Sequence, residues 1–307
     1  MTSPLLIAPS VEAALAAGRP VVALESTVIA HGLPWPQNRD TLQEIEEAVR
    51  QAGAEPAVIG ISGGRLIIGL EAALLDHFTR NGQKIAKVSR RDMAAVLAKG
   101  ADGATTVAAT MLAAARAGIP VFATGGIGGV HRSHDPREEG LDVSADLYEL
   151  ARTPVCVVSS GAKSILDLPR TLEMLETLGV PLVGYRTRSF PTFYSRDADL
   201  PLRGSVETAE EAARLLALQM ELGLGGMLLA NPVPEATAIP TAEVEGWLEE
   251  ALARAREEGI GGPAVTPFLL AQLHHLSAGR TLEANRALLV ANARLAAEVA
   301  VALSRLN

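Results

Sequence analysis

Four lysines stand against 23 arginines in this chain of 307 residues, and two of the four lie where chemistry would want them. Lys163 follows the apolar run Pro154-Val-Cys-Val-Val158, at the expected start of a helix, and Lys87 lies in the short run Lys84-Ile-Ala-Lys-Val88. A chain this rich in arginine uses Arg wherever a fixed positive charge is enough. An amine that must lose its proton has to be lysine, because a guanidinium stays charged while an ammonium deprotonates when its pKa falls. Compositional bias is the competing explanation of the scarcity. Lys84 and Lys99 read as ordinary surface residues.

In open α/β sheets, ligands bind beyond the carboxyl ends of the strands. The residues after each apolar run are therefore the candidates. Glu25-Ser-Thr27 and His31-Gly-Leu-Pro34 follow Val21-Val-Ala-Leu24. Ser89-Arg-Arg-Asp92, the run Thr124 to Arg132, Leu141 to Asp146, Ser159-Ser-Gly-Ala-Lys163 and Asn231-Pro-Val-Pro-Glu235 follow the others. Glu25 reads either as a partly buried carboxyl with a raised pKa, able to act as a general acid, or as a strand-end carboxylate bonded to backbone amides. Ser144 suits the N-cap of a helix over 144–151, with Asp146 in its first turn. Asp142 precedes that helix and has no capping role. A single carboxylate completed by water suits Mg²⁺ or Mn²⁺ better than zinc.

Gly103-Ala-Thr-Thr106 reads as a helix N-terminus, which caps itself or holds a phosphate on free N–H groups. Lys87, Arg90 and Arg91 would supply the charge. The glycines of Thr124-Gly-Gly-Ile-Gly-Gly-Val-His131 lack the spacing of a dinucleotide site. Of His131 and His134, one is expected on a substrate and the other in solvent. His274 and His275 are adjacent in a helix and face different ways.

These residues need elements to hold them. Short β-rich runs at 21–24, 57–59, 66–68, 119–123, 155–159, 180–185 and 226–229 alternate with helical segments at roughly 38–52, 70–80, 90–99, 105–117, 144–151, 163–178, 207–222, 240–258 and 281–305. That order predicts a mostly parallel sheet flanked by helices, an α/β/α sandwich in one domain over 1–307 with a helical C-terminal portion. Ser62-Gly-Gly-Arg65 predicts a hairpin turn. Residues 186–206 read as a long loop, a lid or an interface. A net charge of −8 argues against a nucleic-acid partner. The lone Cys156 excludes an intrachain disulfide and suits a reducing compartment. No run has the expected length of a membrane span, and the first residues do not read as a signal peptide. A cytoplasmic protein without a membrane partner is the expectation.

The segments ALESTVIAHGLPWPQN (23–38), KVSRRD (87–92), GATTVAATM (103–111), VFATGGIGGVHR (121–132), LDVSADLYEL (141–150), GAKSILDLPRTLEMLETLGVP (161–181), FPTFY (190–194), ANPVPE (230–235) and TPFLL (266–270) occur in order over nearly the whole chain. Together they resemble the pseudouridine-5′-phosphate glycosidase family, also described as indigoidine-synthase-A-like. The resemblance implies reversible cleavage of pseudouridine 5′-phosphate to uracil and ribose 5-phosphate, one Mn²⁺ per subunit with Mg²⁺ as the alternative, and a homotrimer. It makes Lys163 the nucleophile and Glu25 the proton donor. It puts Lys87, Thr106, Val107, Ser144, Ala145 and Asp146 on the substrate and Asp142 on the metal. His131 and Asn285 are expected on the base, with Asn292 as the alternative to Asn285.

The chemistry agrees with that assignment. An ordinary glycosidase protonates a leaving heteroatom, and two carboxylates suffice. A C–C bond between ribose and base needs an electron sink, which a lysine amine supplies by forming an imine. Burial, or the Lys87 cation, would depress the pKa of such an amine. An aldolase-like Schiff-base enzyme acting on another sugar phosphate, or a sugar-phosphate binding protein without turnover, are the competing functions.

Overall fold

The run Val21-Val-Ala-Leu24 becomes a strand buried at every position, as it must when helices cover both faces of a sheet. The computed structural model describes residues 3–132, 142–260 and 265–306. Its strands are β1 (Leu5–Ile7), β2 (Val21–Glu25), β3 (Glu55–Ser62), β4 (Arg65–Ile68), β5 (Ala86–Val88), β6 (Gly103–Thr105), β7 (Val121–Ala123), β8 (Val130–His131), β9 (Cys156–Ser159), β10 (Leu166–Asp167), β11 (Leu182–Tyr185), β12 (Gly204–Val206) and β13 (Met227–Ala230). The helices are α1 (Pro9–Ala16), α2 (Gln37–Gln51), α3 (Ala72–Asn81), α4 (Met93–Ala98), α5 (Val107–Arg116), α6 (Ala145–Arg152), α7 (Leu168–Thr177), α8 (Ala209–Glu221), α9 (Thr241–Glu257), α10 (Val265–Leu276) and α11 (Arg280–Ser304).

The main sheet runs β1-β4-β3-β2-β7-β9-β13-β11-β12, with β6 beside β3 and β5 beside β6. Its pairs are parallel except β3 with β4 and β3 with β6. The mostly parallel α/β architecture expected from the sequence is therefore present. From β2 the chain passes to β3 on one side, while β7 lies on the other. The carboxyl ends of β2 and β7 thus flank a topological switch point, the preferred ligand crevice of an open α/β sheet. Helix α11 packs against α2 and α8 over the sheet, and α5 packs against α6.

Several expectations need correction. The hairpin forms as predicted, and Gly63 and Gly64 take the positive φ that its two-residue turn requires. Lys163, however, does not open a helix; α7 starts five residues later at Leu168. Its cap is Asp167, whose carboxylate accepts the Arg170 N–H at 3.2 Å, with a proline in the first turn. Residues 160–163 pair instead with the glycine run. Ser160 N–H donates to the Gly125 carbonyl (2.8 Å), Ile127 N–H to Gly161 (3.0 Å) and Lys163 N–H to Ile127 (3.2 Å). Gly103–Thr105 is a strand between β5 and β3, so only Thr106 belongs to the start of α5. Residues 186–206 contain β12 and bury Phe190, Phe193 and Tyr194, so this segment is built into the body of the protein.

The first strand and helix, and α10 at full length, were not legible as elements. His274 and His275 are both exposed near the end of α10. Helix α11 is 25 residues long and contains an 18-residue stretch with a mean hydropathy of 1.6, enough by length and composition to cross a membrane, against the expectation that no run reaches that length. It packs as a core helix, with 61% of that stretch buried.

Asn292 on α11 ties the strand ends together. It is fully buried, and its amide donates to the Thr124 carbonyl (2.9 Å) and the Ser160 hydroxyl (3.2 Å). Its carbonyl accepts the Asn231 amide at 3.0 Å. One side chain therefore links the ends of β7, β9 and β13. Asn292→Ala leaves the Thr124 carbonyl and the Asn231 amide without this partner. It should lower the unfolding free energy by about 2–4 kcal/mol in urea titration.

Candidate active site

Glu25 ends β2 and is 8% exposed. One carboxyl oxygen accepts a hydrogen bond from the Thr27 hydroxyl and the other accepts one from Thr124, at the end of β7. The carboxyl therefore spans the switch point. Burial pushes its pKa above the ordinary 4.5; the Lys163 cation and the two threonine hydroxyls pull against that, and Asp146 adds a smaller upward push. A buried carboxyl with a raised pKa is the form a general acid takes.

After Glu25 the chain makes a single π-helical turn, Val28–Gly32. Asn38, buried at 2%, holds it by donating to the Ile29 carbonyl (2.7 Å) and the Thr79 carbonyl (2.9 Å). The turn brings His31 to the Ile85 carbonyl, just before the strand of Lys87. Burial and the Lys87 cation lower the His31 pKa, and the bond to Ile85 raises it.

Lys163 and Lys87 come from opposite parts of the sheet, yet Lys163 acts on Glu25 and Glu25 acts on Lys87. Burial lowers the pKa of Lys87, followed by repulsion from Lys163, while Glu25 and Asp146 raise it. Lys87 is open to solvent along part of its length, which tempers that shift without reversing it. Two lysines, a glutamate and an aspartate thus share one electrostatic site. The buried Ser164 hydroxyl beside Lys163 has no protein partner.

Asp146 is a strut. Its carboxylate accepts the Ala108 N–H on α5 (3.0 Å) and the Gly128 N–H (2.8 Å). Ser144 caps α6 as predicted, accepting the Asp146 N–H at 3.2 Å, and Ala145 follows as the first residue of α6. A side chain at Gly128 would lie 2.3 Å from the Ser144 hydroxyl, so only glycine fits there. At the start of α5, the Thr106 hydroxyl is buried without a protein partner, and Val107 opens the helix. An unmade buried hydrogen bond is costly, so an oxygen of a ligand or of water belongs there.

Other expectations fare differently. Arg90 is not free for a phosphate: it donates to both oxygens of the fully buried Glu149, at 2.8 and 3.1 Å. Arg91 is 90% exposed and lies beside Asp92. His131 Nδ1 is 3.9 Å from an Asp142 carboxylate oxygen, and the His131 N–H donates to the Asp142 carbonyl at 2.9 Å. His131 also pairs with Leu166, whose N–H donates to the Lys163 carbonyl, so this corner adjoins the lysine. The Asp142 side chain is 74% exposed. No group of three or more His, Cys, Asp or Glu that could hold a metal exists among the described residues. His134 lies outside them.

Asn285 is half-buried on α11, two turns before Asn292. Leu289 between them lines an apolar crevice with Val28, Ile29 and Leu42 that reaches Glu25 and Thr124. Asn292 has spent its hydrogen bonds on the strand ends. Sequence reasoning put Thr27, His31 and Thr124 in the candidate strand-end segments without giving them a role, and passed over Ser164. The two threonines carried a signal: both sit in the polar clusters that end β2 and β7.

Replacing Thr124 by Val removes a bond that favours the ionised form of Glu25, so the Glu25 pKa should rise further. The acid would then stay protonated to higher pH. The alkaline limb of the kcat/KM profile, which reports the free enzyme, should move upward; a limb that moves down would contradict this placement of the acid.

Comparison with known proteins supplies a further finding. Residues 10–302 match the family model described as indigoidine synthase A like protein. The chain is 55% identical over 305 residues to a pseudouridine-5′-phosphate glycosidase of Methylobacterium nodulans, covering 99% of this chain and 89% of that one. It is 53% identical over 303 residues to one of Sorangium cellulosum, covering 99% and 95%. Among solved structures, a prealnumycin C-glycosynthase in complex with ribulose 5-phosphate superposes with a TM-score of 0.91 at 45% identity, covering 98% and 97%. An indigoidine synthase A-like protein of Thermotoga maritima superposes at 0.87 and 40% identity, covering 99% of each chain.

Proposed function

The chain belongs to the indigoidine synthase A like family, and from that premise we propose that it is an enzyme that reversibly cleaves the C–C glycosidic bond of pseudouridine 5′-phosphate, giving uracil and ribose 5-phosphate. The observation that carries the reading is the meeting of Glu25, Lys163 and Lys87 at the switch point of the sheet. Relatives with pseudouridine-5′-phosphate glycosidase names and above half identity support it. So does a structural neighbour that is a C-glycosynthase bound to ribulose 5-phosphate. That ketose carries its phosphate on O5 and cannot close a furanose ring, so it is an open-chain sugar phosphate.

The chemistry follows from the geometry. The Lys163 amine, once it has given up its proton, attacks C1′ of the ribose. The bond from C1′ to the ring oxygen breaks, and Glu25 gives that oxygen its proton, which opens the sugar. The attacking nitrogen loses a proton and bears a lone pair. Protonation at C5 of the base then allows the C1′–C5 bond to break. Its electron pair restores the C5–C6 double bond of uracil, while the nitrogen lone pair forms the iminium at C1′. Water hydrolyses the iminium to ribose 5-phosphate and free Lys163. General acid assistance of the Glu25 kind contributes about 10²–10⁴-fold.

Phosphate recognition falls to Lys87, the Thr106 hydroxyl, the N-terminus of α5 at Val107 and the Ser144–Asp146 turn. A dianion there would suit both the helix N-terminus and the Lys87 cation. His131 and Asn285 would address the base.

A divalent ion fits the donors present in one way. Asp142 offers an exposed carboxylate with His131 as its neighbour, and water would complete the shell, which suits Mn²⁺ or Mg²⁺. Such an ion would supply charge to orient the sugar phosphate. A homotrimer and a cytoplasmic location complete the proposal; the free, buried Cys156 accords with a reducing compartment.

Incubation with pseudouridine 5′-phosphate and Mn²⁺, resolved by mass spectrometry, should give uracil and ribose 5-phosphate in equal amounts, and Lys163→Ala should give neither. Other products, or full turnover by the alanine variant, would overturn the assignment. Asp142→Asn should raise the Mn²⁺ concentration for half-maximal activity on the order of 10-fold, by analogy with weakened metal shells.

A further inference from the structure

Phe193 holds a backbone conformation that side chains rarely adopt, with φ +67°, in a segment the proposed reaction does not use. It is 6% exposed, and its ring lies against the glycine run that ends β7. A Cβ on Gly126 would come within 2.5 Å of that ring, and one on Gly125 within 3.2 Å. The ring fills the space over Gly126, and it shares the space over Gly125 with Leu288 and Leu289 of α11. The backbone of the same segment locks onto the other side of the site. The Phe193 N–H donates to the Ser160 carbonyl (2.9 Å), and Thr192 bridges Gly161. Gly161, at φ +73°, lies so close to the Pro191 carbonyl that a Cβ there would be 1.9 Å from its oxygen.

These contacts form one stack. The 124–127 strand end carries Thr124, which holds Glu25. The 160–163 segment carries Lys163 and is hydrogen-bonded to 125–127. The ring and backbone of Phe193 back both. The strained position therefore touches both the segment that carries Thr124 and the segment that carries Lys163. A non-glycine residue held at positive φ persists only when its surroundings over-determine it, and such positions gather at functional sites.

We propose that Phe193 is a positioning residue for the reaction: by filling the space left by Gly125 and Gly126 and pinning Ser160, it sets the register between Lys163 and the Glu25–Thr124 pair. The proposal rests on the Schiff-base reading above, in which Lys163 must reach C1′ while Glu25 reaches the ring oxygen. In this role Phe193 acts through the two segments it backs. Thr124 and Lys163 lie on adjacent hydrogen-bonded segments, so a shift of the ring changes how acid and amine are spaced.

The test approaches the contact from both sides. Phe193→Leu shrinks the ring, and Gly126→Ala pushes it. Leu303→Ala, at the far end of α11 roughly 16 Å along the helix axis from Asn292, serves as a core truncation remote from the site. For each folded protein, one measures KM, kcat and the rate at which borohydride traps ribose 5-phosphate on Lys163. Both site variants should lose on the order of 10–100-fold in trapping rate and kcat, the range expected for misplaced reacting groups. Their KM should change less than about 3-fold, because this contact orients groups without adding to binding. Leu303→Ala should trap at the wild-type rate per folded molecule. Unchanged trapping in both site variants, or an equal loss in Leu303→Ala, overturns the proposal. If one site variant does not fold, the other decides. Wild-type protein that cannot be trapped at all would instead overturn the Schiff-base reading.

Discussion

The structure turns on a carboxyl group taken out of water at the end of an apolar strand. Glu25 is placed by four buried residues of β2 and left where burial disfavours its charge. Two threonine hydroxyls and a lysine cation answer that burial. Hydroxyls suit the task because they donate to the ionised carboxyl and can turn to accept from the protonated one. The carboxyl can thus change protonation state without leaving its place. The rest of the site brings Thr124, Lys163 and Lys87 to that point and keeps them there.

Each support has a separate origin in the chain. Asn292 on α11 bonds three strand ends. Asp146 on α6 joins the start of α5 to the glycine run, and Glu149 one turn later holds Arg90 beside the Lys87 strand. Phe193 packs on the same run beside Leu288 and Leu289 of α11. The glycines of 124–129 serve these contacts by leaving room: Gly126 for the ring, Gly128 for Ser144 and Asp146. A run that resembles a nucleotide loop by composition is a packing surface in fact.

The sheet, its mostly parallel order and the strand-end position of the polar clusters were legible because burial on both faces leaves continuous apolar runs. The lysine scarcity pointed to Lys163 and Lys87 for a physical reason, since arginine cannot serve as a neutral amine. What escaped was pairing between distant segments. Nothing local in Gly161-Ala-Lys163 tells the chain to join Gly125–Ile127 before entering a helix, so α7 was placed five residues early. Gly103–Thr105 looked like a helix entrance because its strand partners are non-local, β5 lying 17 residues back and β3 more than forty. Arg90 looked available because Glu149, which holds it, is 59 positions later. The roles of Thr27 and Thr124 depend on the carboxyl between them, and that contact appears only when β2 and β7 lie side by side.

The central claim is that Glu25 titrates above an ordinary carboxylate because it is buried. Carbon-13 NMR of protein labelled at the glutamate side-chain carboxyls, with the Glu25 signal assigned by its loss in Glu25→Gln, reads this directly. The account predicts a titration midpoint above 4.5, the ordinary value, that rises further when Lys163 is replaced by Met. A midpoint at or below the ordinary value, unmoved by that replacement, would contradict it.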